Sequence, residues 1–166
     1  MRAYMGLGSN VGDRLANLQA AVNFLDLRAG KVLNISKVYE TAPLYVINQE
    51  PFYNAAVEIE TNMQPAELLE CIKQIETEIG RISRERYGPR EIDVDLLAVT
   101  DDKGEQVRVN TESLVLPHPR IGERRFVLEP LKDIAAELAP THGLDKDVLV
   151  KQQVKPIDAV LSIHRD

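Results

Sequence analysis

The chain has no tryptophan, a single cysteine and only 5% aromatic residues. One cysteine, Cys71, excludes an internal disulfide and suits a reducing compartment such as the cytoplasm. No apolar run approaches the roughly 18 residues that mark a membrane span. The opening Met1-Arg-Ala-Tyr-Met-Gly-Leu-Gly8 runs straight into glycines and lacks the apolar core of a signal peptide. Positive charge is not in excess either. A net charge of −6 argues against non-specific nucleic-acid binding. Repeats, low-complexity tracts and linkers are missing, so the 166 residues are expected to form one domain, 1–166, with a sizeable core. The expectation is a cytoplasmic protein without nucleic-acid or membrane partners, a monomer or at most a weak dimer.

The positive charge that is present is concentrated. Arg81, Arg84, Arg86 and Arg90 form one cluster, and Arg120, Arg124 and Arg125 another. An acidic chain with focused arginines predicts a small anionic ligand. The first cluster runs through Gly88-Pro89 into Ile92-Asp-Val-Asp-Leu96, which reads as a strand. Side chains alternate along a strand, so Asp93 and Asp95 share one face, about 6–7 Å apart, while Ile92, Val94 and Leu96 point to the other and can be buried. Most Asp-x-Asp pairs are only a solvated strand face. Beside so many guanidinium forks, this pair instead suits Mg²⁺ and a polyphosphate.

The remaining pattern predicts a strand at 2–7, a glycine-rich turn at 6–12 and a helix at 13–27 capped by Ser9 or Asn10. It continues with strands at 32–40 and 52–60, a helix from Pro65 stopped by Gly80, a strand at 92–99 and a hairpin turn at 101–104. Residues 107–109 read as a returning strand and 121–138 as partly helical. This order, β-α-β-β-α-β, predicts an α+β ferredoxin-like sandwich, an antiparallel sheet with helices on one face and a C-terminal extension from about residue 141.

Other residues carry weaker signals. Gly6-x-Gly8 lacks the spacing of a P-loop, and a tight turn explains it better than phosphate contact. Phe52 and Asn54 share a strand face; core packing is the usual role of such a Phe, and a platform for a flat heterocycle is the sharper one. His118 stands between two prolines, beside three arginines and Phe126, which favours a phosphate-facing role over plain surface placement. Glu76 and Lys73 can reach a ligand, although a solvated helix face is the ordinary reading. Cys71, beside the helix-two stripe, is expected to be buried and inert.

The segment Arg86-Tyr-Gly-Pro-Arg-Glu-Ile-Asp-Val-Asp-Leu-Leu97 resembles the signature of 6-hydroxymethyl-7,8-dihydropterin pyrophosphokinase, a folate-pathway enzyme. Gly8-Ser-Asn10, Tyr39-Glu-Thr-Ala-Pro-Leu44, Phe52-Tyr-Asn54, and Pro117-His-Pro-Arg120 through Arg124-Arg-Phe126 are similar to further blocks of that family, in order. The sequence departs where Tyr87 stands in place of a common Trp, Ser83 in place of an Arg, and Ala42 in place of a Pro. The resemblance implies a transferase that moves diphosphate from ATP to the pterin hydroxymethyl group and releases AMP. It implies two Mg²⁺ on Asp93 and Asp95, with Arg81 and Arg90 acting beside them in catalysis. It implies ATP contacts from Glu76, Arg84, Arg90, His118 and Arg124. The pterin would be held by Thr41, Ala42, Pro43, Leu44, Phe52, Asn54, Tyr87 and Phe126. The alternative is a non-catalytic ferredoxin-like ligand-binding or regulatory domain, in which the two aspartates are solvated. Release of AMP from ATP separates the two.

Overall fold

The computed structural model describes residues 1–43, 48–82, 84, 86–140, 149 and 151–165. Leu44, one of the expected pterin contacts, and Ser83 lie outside the described residues. The chain is of the α+β class, built on an antiparallel sheet. Its main elements are β1 (Arg2–Ser9), α1 (Arg14–Arg28), β2 (Lys31–Ile35), β3 (Tyr39–Thr41), β4 (Phe52–Glu60), α2 (Pro65–Ile79) and β5 (Asp93–Thr100). They are followed by a small ribbon of β6 (Val109–Asn110) and β7 (Val115–Leu116), then α3 (Arg125–Ala135) and β8 (Val154–Pro156). Among the described residues, no helix is long and apolar enough to cross a membrane.

The main sheet runs β5-β1-β4-β3-β8, and β2 pairs β4 alongside β3. β1 therefore lies between β4 and β5, antiparallel to both. One face carries Ala3, Met5, Leu7, Val57, Ile59, Val94 and Leu96, and meets Leu18, Val22 and Leu25 of α1 and Leu68, Ile72 and Ile75 of α2. Burying these apolar stripes supplies most of the drive to fold, on the order of 1.5–3 kcal/mol for each fully buried large side chain. Ile92, Val94 and Leu96 are buried as their alternation predicts.

The structure corrects the sequence reading in several places. The helices are not confined to one face: α3 packs Val127, Leu128 and Leu131 against Tyr4, Leu97 and Ala98 on the opposite side. β1 does not stop at residue 7 for a glycine turn; it pairs through Ser9, so Gly6 and Gly8 are strand residues. Asp13, not Ser9 or Asn10, caps α1 by accepting the Ala16 amide at 3.0 Å. The strand expected over 32–40 breaks into β2 and β3. At the break, Ser36 donates its amide to the Ala56 carbonyl, while its hydroxyl, not its carbonyl, accepts the Ala56 amide at 2.7 Å. A side chain has taken one rung of the ladder. Gly80 ends α2 in the left-handed region at φ 114°. Cys71 is partly buried, and desolvation raises its thiol pKa.

Candidate active site

The face of the sheet that bears Asp93 and Asp95 ends in a cavity of about 270 Å³. Sheet register explains why space exists there. Gly8 pairs Asp93 on one side and Asn54 on the other, and Gly6 pairs Asp95. Directly opposed residues share a face. The central strand thus presents two residues without side chains between the carboxylates and Asn54. A methyl group added to Gly8 would lie 2.9 Å from the Asn54 amide nitrogen, so glycine is required for this close approach. Phe52 precedes Asn54 by two residues on β4 and so shares its face, and Thr41 lies opposite Phe52 on β3.

The carboxylates lie in a web of charge. Arg81, the first residue after the Gly80 stop, donates to Asp93 at 3.0 Å and also pairs with Glu76. Glu76 is not a solvated helix residue. It is 8% exposed, beneath the floor, and accepts the backbone amide of Val94 at 3.0 Å. Because β5 pairs only β1 in the main sheet, that amide points out of an open edge, and Glu76 satisfies it. Burial raises the Glu76 pKa, while Arg81 and the Val94 amide oppose the rise. The Asp95 carboxyl, recessed in the floor, is pushed up to about 8, first by desolvation and then by the neighbouring charge of Asp93. A cation placed beside Asp95 would favour its charged form.

The residues fit a hard divalent cation. Among the described residues no three His, Cys, Asp or Glu side chains gather into a protein cage for a metal. Two carboxylates with open space above them match Mg²⁺, which keeps waters and takes substrate phosphate oxygens as further ligands.

Above the floor, Arg81, Arg86, Arg90 and Arg124 line the cavity, with Thr41, Ala42, Phe52, Asn54, Tyr87 and Phe126. Arg124 lies over the Phe126 ring, 5.6 Å from its centre. The Asn54 amide is held by Thr41 and by the Leu7 carbonyl at 3.3 Å. Not every expected contact lines this space. Arg84 is paired with Glu91 at 2.6 Å. Pro43 lines a neighbouring recess that shares Thr41, Ala42 and Phe126. His118 lies just behind, close enough to Asp93 and Arg124 to feel their charges. Burial first, then Arg124 and Arg120, lowers its pKa.

The rim is built from loops, and sequence reasoning missed its chief fastener. Asn10 accepts the Arg90 amide at 2.8 Å and donates to the Gln49 side chain at 2.9 Å and the Glu50 carbonyl at 2.8 Å. Gln49 in turn donates to the Tyr87 carbonyl at 3.0 Å, and the Tyr87 hydroxyl accepts from Arg120 at 2.9 Å. Tyr87 is held at φ 60°, a left-handed conformation that costs a side-chain-bearing residue on the order of 1–3 kcal/mol. The sequence marks Asn10 only as a helix-cap candidate and as part of a family block, and no local signal marks Gln49. Arg86, by contrast, was visible as a member of its cluster.

The family sequence model described as 7,8-dihydro-6-hydroxymethylpterin-pyrophosphokinase matches residues 4–136. The chain is 44% identical over 137 residues to the 2-amino-4-hydroxy-6-hydroxymethyldihydropteridine pyrophosphokinase of Bacillus subtilis, covering 82% of this chain and 79% of that one. With the protein of the same description from Methylorubrum extorquens it shares 42% over 160 residues, 96% of this chain and 98% of the other. It is also 38% identical over 159 residues to the folic acid synthesis protein fol1 of Pneumocystis carinii, of whose length it spans 21%. Among solved structures, the wild-type HPPK-DHPS of Plasmodium falciparum shares the fold at a TM-score of 0.58 and 18% identity. That match covers 80% of this chain and 40% of the other.

Proposed function

The chain belongs to the 7,8-dihydro-6-hydroxymethylpterin-pyrophosphokinase family, and from that premise we propose that it is an ATP-dependent transferase of folate synthesis. It transfers diphosphate from ATP to the hydroxymethyl oxygen of 6-hydroxymethyl-7,8-dihydropterin and releases AMP. The observation that carries this reading is the meeting, in one cavity, of a carboxylate pair on a glycine floor, four arginines and two phenylalanines. No observation favours the non-catalytic alternative.

Asp93 and Asp95 would hold Mg²⁺, two ions in this reading, which when bound supplies charge neutralisation for the triphosphate. Arg81 stands at Asp93 already and can turn from it toward a phosphate oxygen as a cation takes over the carboxylate. Arg90 and Arg124, which both line the cavity, would meet the growing negative charge, with His118 behind them. Phe52 and Phe126 would clasp the pterin ring. Thr41, Asn54 and the backbone at Ala42 would read its polar edge, and Tyr87 would close over it. Glu76 and Arg84 would act at one remove, Glu76 by setting Arg81 and Arg84 by tying the loop to Glu91.

The finer fold reading is a ferredoxin-like core of β1, α1, β2 with β3, β4, α2 and β5, in one domain. It is supported by the strand order and extended by α3 and β8. A cytoplasmic protein, a monomer or at most a weak dimer, without membrane or nucleic-acid partners completes the proposal.

The test is the nucleotide product. The purified protein, incubated with ATP, Mg²⁺ and the hydroxymethyldihydropterin, should form AMP in step with pterin consumption. Formation of ADP, or no nucleotide conversion, would remove the pyrophosphokinase reading.

A further inference from the structure

Residues 151–156 lie beyond residues 4–136, which the family model matches, yet they touch both walls of the cavity. On one side, β8 pairs β3, placing Val154 opposite the cavity-lining Thr41, and Ala42 donates its amide to the Gln153 carbonyl at 3.3 Å. On the other side, Gln152 is 7% exposed and uses every polar atom of its side chain. Its Nε2 donates to the Glu123 carbonyl at 2.7 Å, and its Oε1 accepts the Arg125 amide at 2.7 Å. Its main-chain carbonyl accepts from the Arg125 guanidinium at 2.8 Å. These bonds bracket Arg124 from the residue before it to the residue after it.

The reason for so much bonding lies in α3. A helix opens with amides that have no partner inside it, and a Ser, Thr, Asp or Asn normally accepts one of them. Here the capping position is Arg124, which has no acceptor in its side chain, and Arg125 follows it. Two cations also stand at the positive end of the helix dipole. The cavity needs a cation at this point, so the local rule for starting a helix is broken there. The missing acceptor comes from 27 residues further along the chain, as Gln152.

We propose that Gln152 is a positioning residue for the cavity: it supplies in trans the cap that α3 lacks, and so fixes the direction in which Arg124 and Phe126 face. With β8 it makes residues 151–156 a strap between the Thr41 wall and the Arg124 wall. The proposal rests on the pyrophosphokinase reading for its kinetic consequence, but not for its structural one.

The experiment compares Gln152→Met, nearly isosteric and without hydrogen bonds, with Gln152→Glu, which keeps an oxygen for the Arg125 amide but loses the donor to Glu123. A control, Gln19→Ala, loosens the end of the tail without touching the strap. Gln19 there bonds the Ser162 carbonyl at 2.7 Å and the Ser162 amide at 3.1 Å. Gln152→Met should lower kcat/KM for the pterin at least tenfold, Gln152→Glu should recover part of the loss, and Gln19→Ala should stay within twofold of the parent. Amide exchange at Arg125 and Phe126, measured without substrate, should speed at least tenfold in Gln152→Met and less in Gln152→Glu. Unchanged exchange at Arg125 in Gln152→Met overturns the proposal, whatever the activity. So does an equal kinetic loss in Gln19→Ala, since tail docking alone would then account for it. If the parent makes no AMP, the exchange measurement still decides the cap.

Discussion

Asp93 and Asp95 stand on a strand whose register with β1 fixes them residue by residue, whereas Tyr87, Gln49 and Arg120 stand on three loops joined by hydrogen bonds from side chains. The floor of the cavity is held by a backbone ladder and by a buried Glu76 beneath it. The rim is held by bonds to Asn10 and by a tyrosine in a strained conformation. A floor of this kind keeps charge in place before a substrate arrives. A rim of this kind has a second arrangement within reach, because a few hydrogen bonds of about 0.5–1.5 kcal/mol each hold it. In the proposed reading, chemistry falls to the first region and substrate capture to the second.

The sharpest way to break that division is Asp95→Ala. Turnover should fall by three or more orders of magnitude, the range seen when a charge-stabilising group of phosphoryl transfer is lost. Secondary structure by circular dichroism should be unchanged. Near-parental AMP formation at saturating Mg²⁺ would show that the floor does not carry the chemistry.

Next in size is Phe126→Ala, at the junction of the two regions. Loss of one stacking partner, about 0.5–1.5 kcal/mol beyond area burial, should weaken pterin binding about tenfold with its packing loss included. ATP affinity should move little. Calorimetry showing equal losses for both ligands would make Phe126 a packing residue.

The Asp95 carboxyl gives the comparison a pH axis. Its folded pKa of about 8 lies above its ordinary 3.8, so the metal-free fold is favoured while Asp95 is protonated and loses that advantage as pH rises from about 4 toward 8. The melting temperature without Mg²⁺ should therefore fall across that window in the parent and fall less in Asp95→Asn. Mg²⁺ affinity should run the opposite way, rising with pH up to about 8. A parent melting profile that matches Asp95→Asn at every pH would mean that Asp95 is not held protonated.

The rim should yield the smallest kinetic effect and the largest change in motion. Asn10→Ala removes the side-chain bonds to Arg90, Gln49 and Glu50 and leaves the Asn10 amide on the Arg90 carbonyl. It should lower kcat/KM a few-fold and leave Mg²⁺ affinity unchanged. We expect the described part of residues 81–89 to exchange amide protons rapidly in the free protein and to be protected when a non-hydrolysable ATP analogue and pterin are both present. Strong protection in the free protein would instead make the rim as fixed as the floor.

The same division governs what could be read before the structure was known. Asp93, Asp95, Ile92 and Val94 follow from a period of two, which needs only neighbours in sequence. The helices followed from Leu18, Val22 and Leu25 and from Leu68, Ile72 and Ile75 in the same way. Arg124 was visible in its cluster and Phe52 and Asn54 on their shared strand face, while their particular roles and that of Phe126 came through the resemblance to a family. Asn10 and Gln49 are 39 residues apart, and Arg120 and Tyr87 are 33 apart. No periodicity links loops across such distances. The break at Ser36 was hidden because its hydroxyl competes with a backbone ladder that the alternation pattern assumes. β8 was hidden because Lys155-Pro156 is a poor strand sequence, tolerated here where the strand borders β3 alone.

The glycines under the cavity have a consequence for any inhibitor. A compound lying flat on Gly6 and Gly8 would rest on peptide groups, and peptide groups do not change when a gene mutates. Escape would require adding a carbon to the floor. At Gly8 that carbon would press on the Asn54 amide at 2.9 Å, whereas at Gly6 it would make only ordinary van der Waals contact with Leu97 at 3.6 Å. The two positions would therefore differ under drug pressure: a small side chain fits at Gly6, whereas at Gly8 a resistant variant would have to displace Asn54, which in the proposed reading serves the pterin.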